Sequence, residues 1–311
     1  MTAQELDNCH QLIKPYIHRT PILTSRLLNQ ISGADLYFKC ENFQKMGAFK
    51  MRGATHAILQ LSDEQKEKGV VTHSSGNFAQ ALSLAAANLG VKAYIVMPSN
   101  APQVKKDAVK GYGGEIIECN PTHKDREHTA SLIEKEKGAT FLHPYNDMDV
   151  ILGQGTSALE LLEDHPDLDY IFSPVGGGGL IAGTSLAAHF YGNNCEVIGG
   201  EPFEVDDAYR ALKSGKLEIN ETTNTIADGL KMPLGDTNFP IIQKYVSEII
   251  RVEEKETVEA MRLIWERMKI VIEASCAVPF AALLREKEKF QSKKIGIILS
   301  GGNIDLGNLP F

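Results

Sequence analysis

The chain has 311 residues, 43% hydrophobic and 23% charged, an ordinary globular mix long enough for about two domains. Asp and Glu (40) outnumber Lys and Arg (32), and the net charge of −8 argues against a nucleic-acid binder. Five scattered cysteines without a CxxC pair, no basic-then-apolar start and no apolar run near 20 residues argue against a zinc module, a disulfide framework, a secretory leader and a membrane span; a reduced, cytoplasmic protein is expected.

Thr2 with Glu5 predicts a capping box opening a first helix. The segment Gly47-Ala48-Phe49-Lys50-Met51-Arg52-Gly53-Ala54 then sets a lysine beside an aromatic and between glycines. Alone it fits a surface lysine at a helix start. It also fits a desolvated amine, whose neutral form attacks aldehydes to give a Schiff base. Ser74-Ser75-Gly76-Asn77 follows the apolar pair Val70-Val71 and leads into a helix with Leu82, Ala85, Ala86 and Leu89 on one face. Such a helix start suits a carboxylate, or is a plain Ser/Asn cap.

Val91–Met97, closed by Pro98, reads as a buried strand. A helix over about 102–110, a strand EIIE, a charged helix over Thr122–Lys137 and a short strand TFLH (140–143) follow. Next come a helix near 155–164, a strand over Tyr170–Pro174, a helix over Leu180–Tyr191 and a strand over Glu196–Gly199. Pro174-Val175-Gly176-Gly177-Gly178-Gly179 sits at a strand-to-helix turn, where successive N–H groups of adjacent glycines suit phosphate oxygens; a flexible turn is the plainer reading. The run also satisfies G-x-G-x-x-A through Gly177, Gly179 and Ala182, with Glu201 after the next strand. A nicotinamide-dependent dehydrogenase therefore stays open at this point. The last strand, KIGIILS, ends in Ser300-Gly301-Gly302-Asn303, a tight turn or a hydroxyl at the end of a parallel strand, where ligands of open α/β sheets bind. Strands alternating with helices imply an α/β fold with parallel sheets.

Taken in order, F-K-x-R-G-A, S-S-G-N, G-G-G-G and S-G-G-N resemble the fold-type II pyridoxal-phosphate enzymes of the serine racemase and serine/threonine dehydratase family. Softer matches include Gly153-Gln154-Gly155-Thr156, Ile226-Ala227-Asp228-Gly229 and Trp265-Glu266-Arg267-Met268-Lys269. The resemblance spans nearly the whole chain. It implies a tryptophan-synthase-β-like α/β fold of two domains, each with a twisted, mostly parallel sheet flanked by helices. Residues 1–68 and 146–311 would form the large, cofactor-binding domain, and 69–145 a small mobile one. The chain ends shortly after Asn303, so the C-terminal regulatory domain of larger threonine dehydratases is not expected.

The same resemblance implies roles. Lys50 carries pyridoxal 5'-phosphate and acts as general base, Phe49 packs on the ring, Asn77 meets the ring hydroxyl, Gly176, Gly177, Gly178 and Gly179 cradle the phosphate, and Ser300 faces the pyridine nitrogen. Ser74, Ser75, Gly76 and Asn77 receive the substrate carboxylate, Ser75 is the second acid needed for racemisation, and Arg126 contacts the substrate. Glu201, Val205 and Asp207 match a divalent-cation loop for Mg²⁺, Mn²⁺ or Ca²⁺.

The activity implied is dehydration of β-hydroxy amino acids (L-serine, L-threonine or 3-hydroxyaspartate) to a 2-oxo acid and ammonia, with serine racemisation at the same site, by a homodimer. Phe78 in place of a usual His, Tyr145 in place of a usual Asn, Met232-Pro233 where racemases present serines, and Ala274-Ser275-Cys276 leave the substrate open. The rival readings are a serine racemase proper, a cysteine-synthase-like enzyme, a dehydrogenase using NAD, and a non-catalytic amino-acid-binding protein.

Overall fold

The alternating strand and helix signals resolve into two sheets in the computed structural model, which describes the backbone of residues 1–311 and every side chain but that of His123. Helix α1 (Ala3–Ile13) opens the chain, and both hydrogen bonds of the expected Thr2–Glu5 capping box form. Strand β1 (Ile22–Leu23), α2 (Arg26–Ser32), β2 (Asp35–Cys40), α3 (Lys50–Gln60) and α4 (Asp63–Lys68) follow.

The chain then builds a four-stranded sheet from β3 (Val70–Thr72), β4 (Ala93–Pro98), β5 (Glu115–Cys119) and β6 (Thr140–Phe141). Helices α5 (Asn77–Asn88), α6 (Gln103–Gly111) and α7 (His123–Lys137) connect them. Its order is β5-β4-β3-β6 with every pair parallel, so the loops after β3 and β4 share one edge.

Helix α8 (Met148–Asp164), β7 (Tyr170–Pro174), α9 (Gly179–Tyr191), β8 (Glu196–Pro202) and α10 (Asp207–Ser214) come next. Then α11 (Phe239–Tyr245), β9 (Glu248–Val252), α12 (Glu254–Met268), α13 (Ala274–Arg285) and β10 (Lys294–Leu299) complete the chain. The second sheet runs β1-β2-β10-β7-β8-β9, and only β1 against β2 is antiparallel. Its central strands are buried on both faces, which is why they read as continuous apolar runs.

Three boundaries differ from the sequence reading. Strand β6 is shorter than TFLH, β8 runs on to Pro202, and α8 begins at Met148 rather than near 155. Asp147 starts α8 by accepting the N–H groups of Asp149 and Val150. Gly153 and Gly155 hide this helix, because glycine is a poor helix former. They are there for contact. A Cβ on Gly153 would lie 2.6 Å from Gly53 Cα, and one on Gly155 would lie 2.6 Å from the Gly183 carbonyl oxygen. Helix α8 therefore touches α3 and α9 backbone to backbone. Since α3 starts at Lys50 and α9 at Gly179, α8 sets the spacing between the lysine and the glycine run.

A buried ionic cluster ties α3 and α8 to the end of β2. The Arg52 guanidinium donates to Glu41 through Nε and Nη2 (both 2.8 Å) and to Glu160 through Nη1 and Nη2 (2.9 and 2.8 Å). Lys39 Nζ donates to Glu160 at 2.6 Å, and Thr20 Oγ1 donates to Glu41 at 2.5 Å. Burial works against the Arg52 charge, but Glu41 and Glu160 outweigh it and raise its pKa. Two cations and two anions cancel, so no net charge is left inside.

Candidate active site

Lys50 is the first residue of α3, and its side chain reaches the cleft between the two sheets. Nζ donates to the Pro144 carbonyl at 2.6 Å and lies 4.9 Å from the Phe49 ring centre and 5.7 Å from that of Phe78. The Pro144 turn is held by His143 Nδ1, which accepts the Asn146 N–H at 2.9 Å. The carbonyl and the two ring faces attract an ammonium, but they do not replace the water that burial removes. Burial holds the Lys50 amine down to about 7, while the Glu273 charge acts upward against it. The lysine does stand at a helix start, but with a desolvated amine.

The C-terminal motif knits the site together. Phe49 N–H donates to the Ser300 carbonyl (3.0 Å), Gly302 N–H to the Gly47 carbonyl (2.9 Å), and Gly301 bridges Ala48. Gly47 holds φ +79°, in the left-handed region, where a side chain would be strained. Asn303 Nδ2 donates to the Met46 carbonyl and to Asn77 Oδ1, both at 2.9 Å. Asn77 Nδ2 in turn donates to the Glu273 carboxylate at 3.0 and 3.2 Å. Ser300 directly follows β10 and is buried. Lys50, Phe49, Asn77 and Ser300 thus share one hydrogen-bonded frame, though 250 residues separate Lys50 from Ser300.

The glycine run lies between β7 and α9. A Cβ on Gly176 would meet the Gly229 carbonyl oxygen at 2.8 Å. One on Gly177 would enter the Tyr145 ring at 2.4 Å, and one on Gly179 would meet Gln154 Oε1 at 2.6 Å. Gly178 has φ +87° and faces Asn238 Oδ1 at 2.6 Å. Among the described residues, no acceptor is recorded for the N–H groups of Gly176, Gly177, Gly178 or Gly179. Four orphan donors at the start of a 13-residue helix are an anion cradle. Together with an aldehyde-reactive amine across the cleft, this fits pyridoxal phosphate.

Ser74, Ser75, Gly76 and Asn77 are half-buried at the start of α5, and nothing lies within 4 Å of a Cβ on Gly76, so the loop faces open space. Arg126, in the first turns of α7, has a buried Nε without a partner. Its charge reaches the Cys119 thiol at the end of β5. Away from these residues, Glu201, Val205 and Asp207 are all buried. Glu201 accepts the N–H groups of Ala208 (3.0 Å) and Tyr209 (2.8 Å), one on each carboxylate oxygen. Asp207 accepts from Asn220 Nδ2 and from Leu234 N–H. Burial and the charge of Asp207 push the Glu201 carboxyl well up, and burial pushes Asp207 up to about 6. Two neighbouring buried acids are donors of the kind that a hard cation takes. No group of three or more His, Cys, Asp or Glu side chains gathers among the described residues.

Sequence reasoning missed two members of the site. Glu273 contacts Asn77 and Asn303, and burial pushes its carboxyl up to about 7, with the Asp228 charge acting the same way. Its signal was legible as the lone charge in the run 270–284. Asn238 donates to the carbonyls of Tyr145 (3.2 Å) and Gly177 (2.8 Å), joining the Lys50 turn to the cradle. No local pattern marks it.

Comparison with known proteins agrees with this geometry. The family model described as "Pyridoxal-phosphate dependent enzyme" matches residues 13–301. The chain is 49% identical over 310 residues to the β-hydroxyaspartate dehydratase of Paracoccus denitrificans, covering 100% of this chain and 98% of that protein. It is 48% identical over 295 residues to the L-threo-3-hydroxyaspartate ammonia-lyase of Saccharomyces cerevisiae, covering 94% of this chain and 90% of that one. The crystal structure of serine racemase from Dictyostelium discoideum superposes with a TM-score of 0.94 at 47% identity, covering 98% of this chain and 99% of that one.

Proposed function

The chain belongs to the pyridoxal-phosphate dependent enzymes, and from that premise we propose that it is an ammonia-lyase of β-hydroxy amino acids. The products are a 2-oxo acid and ammonia. The observation that carries this reading is the Lys50 amine, held near pKa 7 between Phe49 and Phe78 and facing a cradle of unsatisfied N–H donors. A base poised near neutrality is what abstraction of an α-proton needs. A protein that only bound amino acids would have no use for it.

Bound pyridoxal phosphate supplies an aldehyde for amines and a conjugated ring that draws electrons from the substrate's α-carbon. Gly176, Gly177, Gly178 and Gly179 would hold its phosphate, Phe49 would pack on its ring, Asn77 would meet the ring hydroxyl and Ser300 would face the ring nitrogen. Ser300 is a neutral hydroxyl and would stabilise a protonated ring nitrogen less than a carboxylate would. Ser74, Ser75, Gly76 and Asn77 receive the α-carboxylate at the start of α5. Lys50 takes the α-proton. The partnerless Nε of Arg126 supports a substrate contact from α7.

A second reading, serine racemisation at the same site, is favoured by Ser75, a half-buried hydroxyl two residues before Asn77, to which we assign the second proton. Residues 69–145 act as a small domain closing on residues 1–68 and 146–311. Glu201, Val205 and Asp207 bind Mg²⁺, Mn²⁺ or Ca²⁺, and the enzyme works as a cytoplasmic homodimer. No helix among the described residues is long and apolar enough to cross a membrane.

The test is release of 2-oxo acid from L-serine, L-threonine and 3-hydroxyaspartate, measured beside D-serine formation from L-serine. Release from at least one is expected, and none from any of the three defeats the lyase reading. Ser75→Ala lowers racemisation more than elimination; equal loss of both contradicts the role given to Ser75.

A further inference from the structure

Lys105 lies in the first turn of α6, directly after β4. Strand β4 pairs with β3, whose end leads into Ser74–Asn77. Across the cleft, Lys105 Nζ donates to Asp228 Oδ2 at 2.7 Å. Asp228 opens the short turn Asp228–Leu230. That turn packs on the cradle: the Gly229 carbonyl oxygen lies 2.8 Å from where a Cβ of Gly176 would stand, and Gly229 N–H donates to Ser275 Oγ at 2.9 Å. The ion pair therefore links the substrate loop's sheet to the wall of the cradle. The charges of both partners reach Glu273, which accepts from Asn77 Nδ2 at 3.0 Å.

Two properties make Lys105 more than a tie between the sheets. The pair is open to solvent, with side-chain exposures of 33% and 53%, so separating it costs little. Its acidic partner is a carboxylate on a short stem, the group that a dicarboxylic amino acid carries at its distal end. The wall beyond Asp228 reads Gly229-Leu230-Lys231-Met232-Pro233 and offers no side-chain hydroxyl to a neutral substrate.

We propose that Lys105 is the specificity-determining cation for a dicarboxylic β-hydroxy amino acid, whose distal carboxylate replaces Asp228 on Nζ. The inference rests on the lyase reading and narrows it. The α-carboxylate sits at Ser74–Asn77, and the distal carboxylate sits one strand over. Asp228 acts as an internal occupant that the substrate displaces.

The test compares kcat/KM for 3-hydroxyaspartate and for L-serine in the loaded enzyme. Their ratio is expected to fall about tenfold in Lys105→Met, a typical effect of one charge-assisted contact at a partly exposed site. It recovers in Lys105→Arg and rises in Asp228→Asn. An unchanged ratio in Lys105→Met, or a ratio that falls only in Arg126→Met, overturns the proposal. Binding gives a second readout: succinate raises the thermal midpoint of the loaded protein more than butyrate does, and Lys105→Met erases the difference. Persistence of that difference also overturns the proposal. If none of L-serine, L-threonine and 3-hydroxyaspartate yields oxo acid in the parent enzyme, the lyase reading fails, and the succinate–butyrate comparison alone decides the role of Lys105.

Discussion

Replacing Glu273 by Gln tests the electrostatics of Lys50. With its pKa at about 7, about half of the Lys50 amines are neutral at pH 7; at the ordinary value of 10.5 about one in 3,000 would be. Burial between Phe49 and Phe78 lowers the value, and the Glu273 charge is the opposing influence. Gln keeps an acceptor for Asn77 Nδ2 but removes that charge. The Lys50 midpoint is therefore expected to fall, on the order of one pH unit, the low end of the effect of one opposite charge. The assay is trapping of pyridoxal, which lacks the phosphate, on the cofactor-free protein by borohydride between pH 5.5 and 10, with the modified Lys50 peptide quantified by mass spectrometry. A midpoint near 10 in either protein, or a higher midpoint in Glu273→Gln than in the parent, refutes the reasoning.

Gly177→Ala places a methyl group 2.4 Å from the Tyr145 ring. Overpacking of this kind costs about 1–3 kcal/mol, and cofactor affinity, read by fluorescence titration, drops with it. Tyr145→Ala in the same chain restores part of both, and a strictly additive double mutant would show that the two residues do not touch. Arg52→Met leaves Glu41 without its cation in the interior and Glu160 with Lys39, and is expected to cost about 3–5 kcal/mol in urea unfolding at pH 7. A loss below about 1 kcal/mol would mean that the cluster is not buried as described. Magnesium at 100 times its dissociation constant should add about 2.7 kcal/mol to stability, and Asp207→Asn should abolish the gain. No response to Mg²⁺, Mn²⁺ or Ca²⁺ removes the cation from the acidic loop.

Much of the fold could be read from the chain because the central strands are buried on both faces. Ala93–Pro98 is apolar along its whole length, and Tyr170–Pro174 and Lys294–Leu299 are apolar but for Ser173 and Lys294; short apolar runs bounded by turn residues fit buried strands. The start of α8 was hidden because Gly153 and Gly155 serve contacts with α3 and α9, not helix propensity. In the site, motifs whose backbone approaches a ligand were legible, since repeated glycine has few other uses. Glu273 shows there only as a lone charge in an apolar run, and Asn238 not at all, because each acts on residues remote in sequence and neither sits in a motif. The Lys105–Asp228 pair spans 123 residues and was equally silent.

The direct test of Lys50 as the cofactor-bearing residue is reconstitution of the purified protein with pyridoxal phosphate, followed by borohydride reduction and peptide mapping. A yellow protein, bleached on reduction and labelled at Lys50, is expected, with no label in Lys50→Ala. A protein that stays colourless with pyridoxal phosphate, or a label fixed at another lysine, contradicts the assignment.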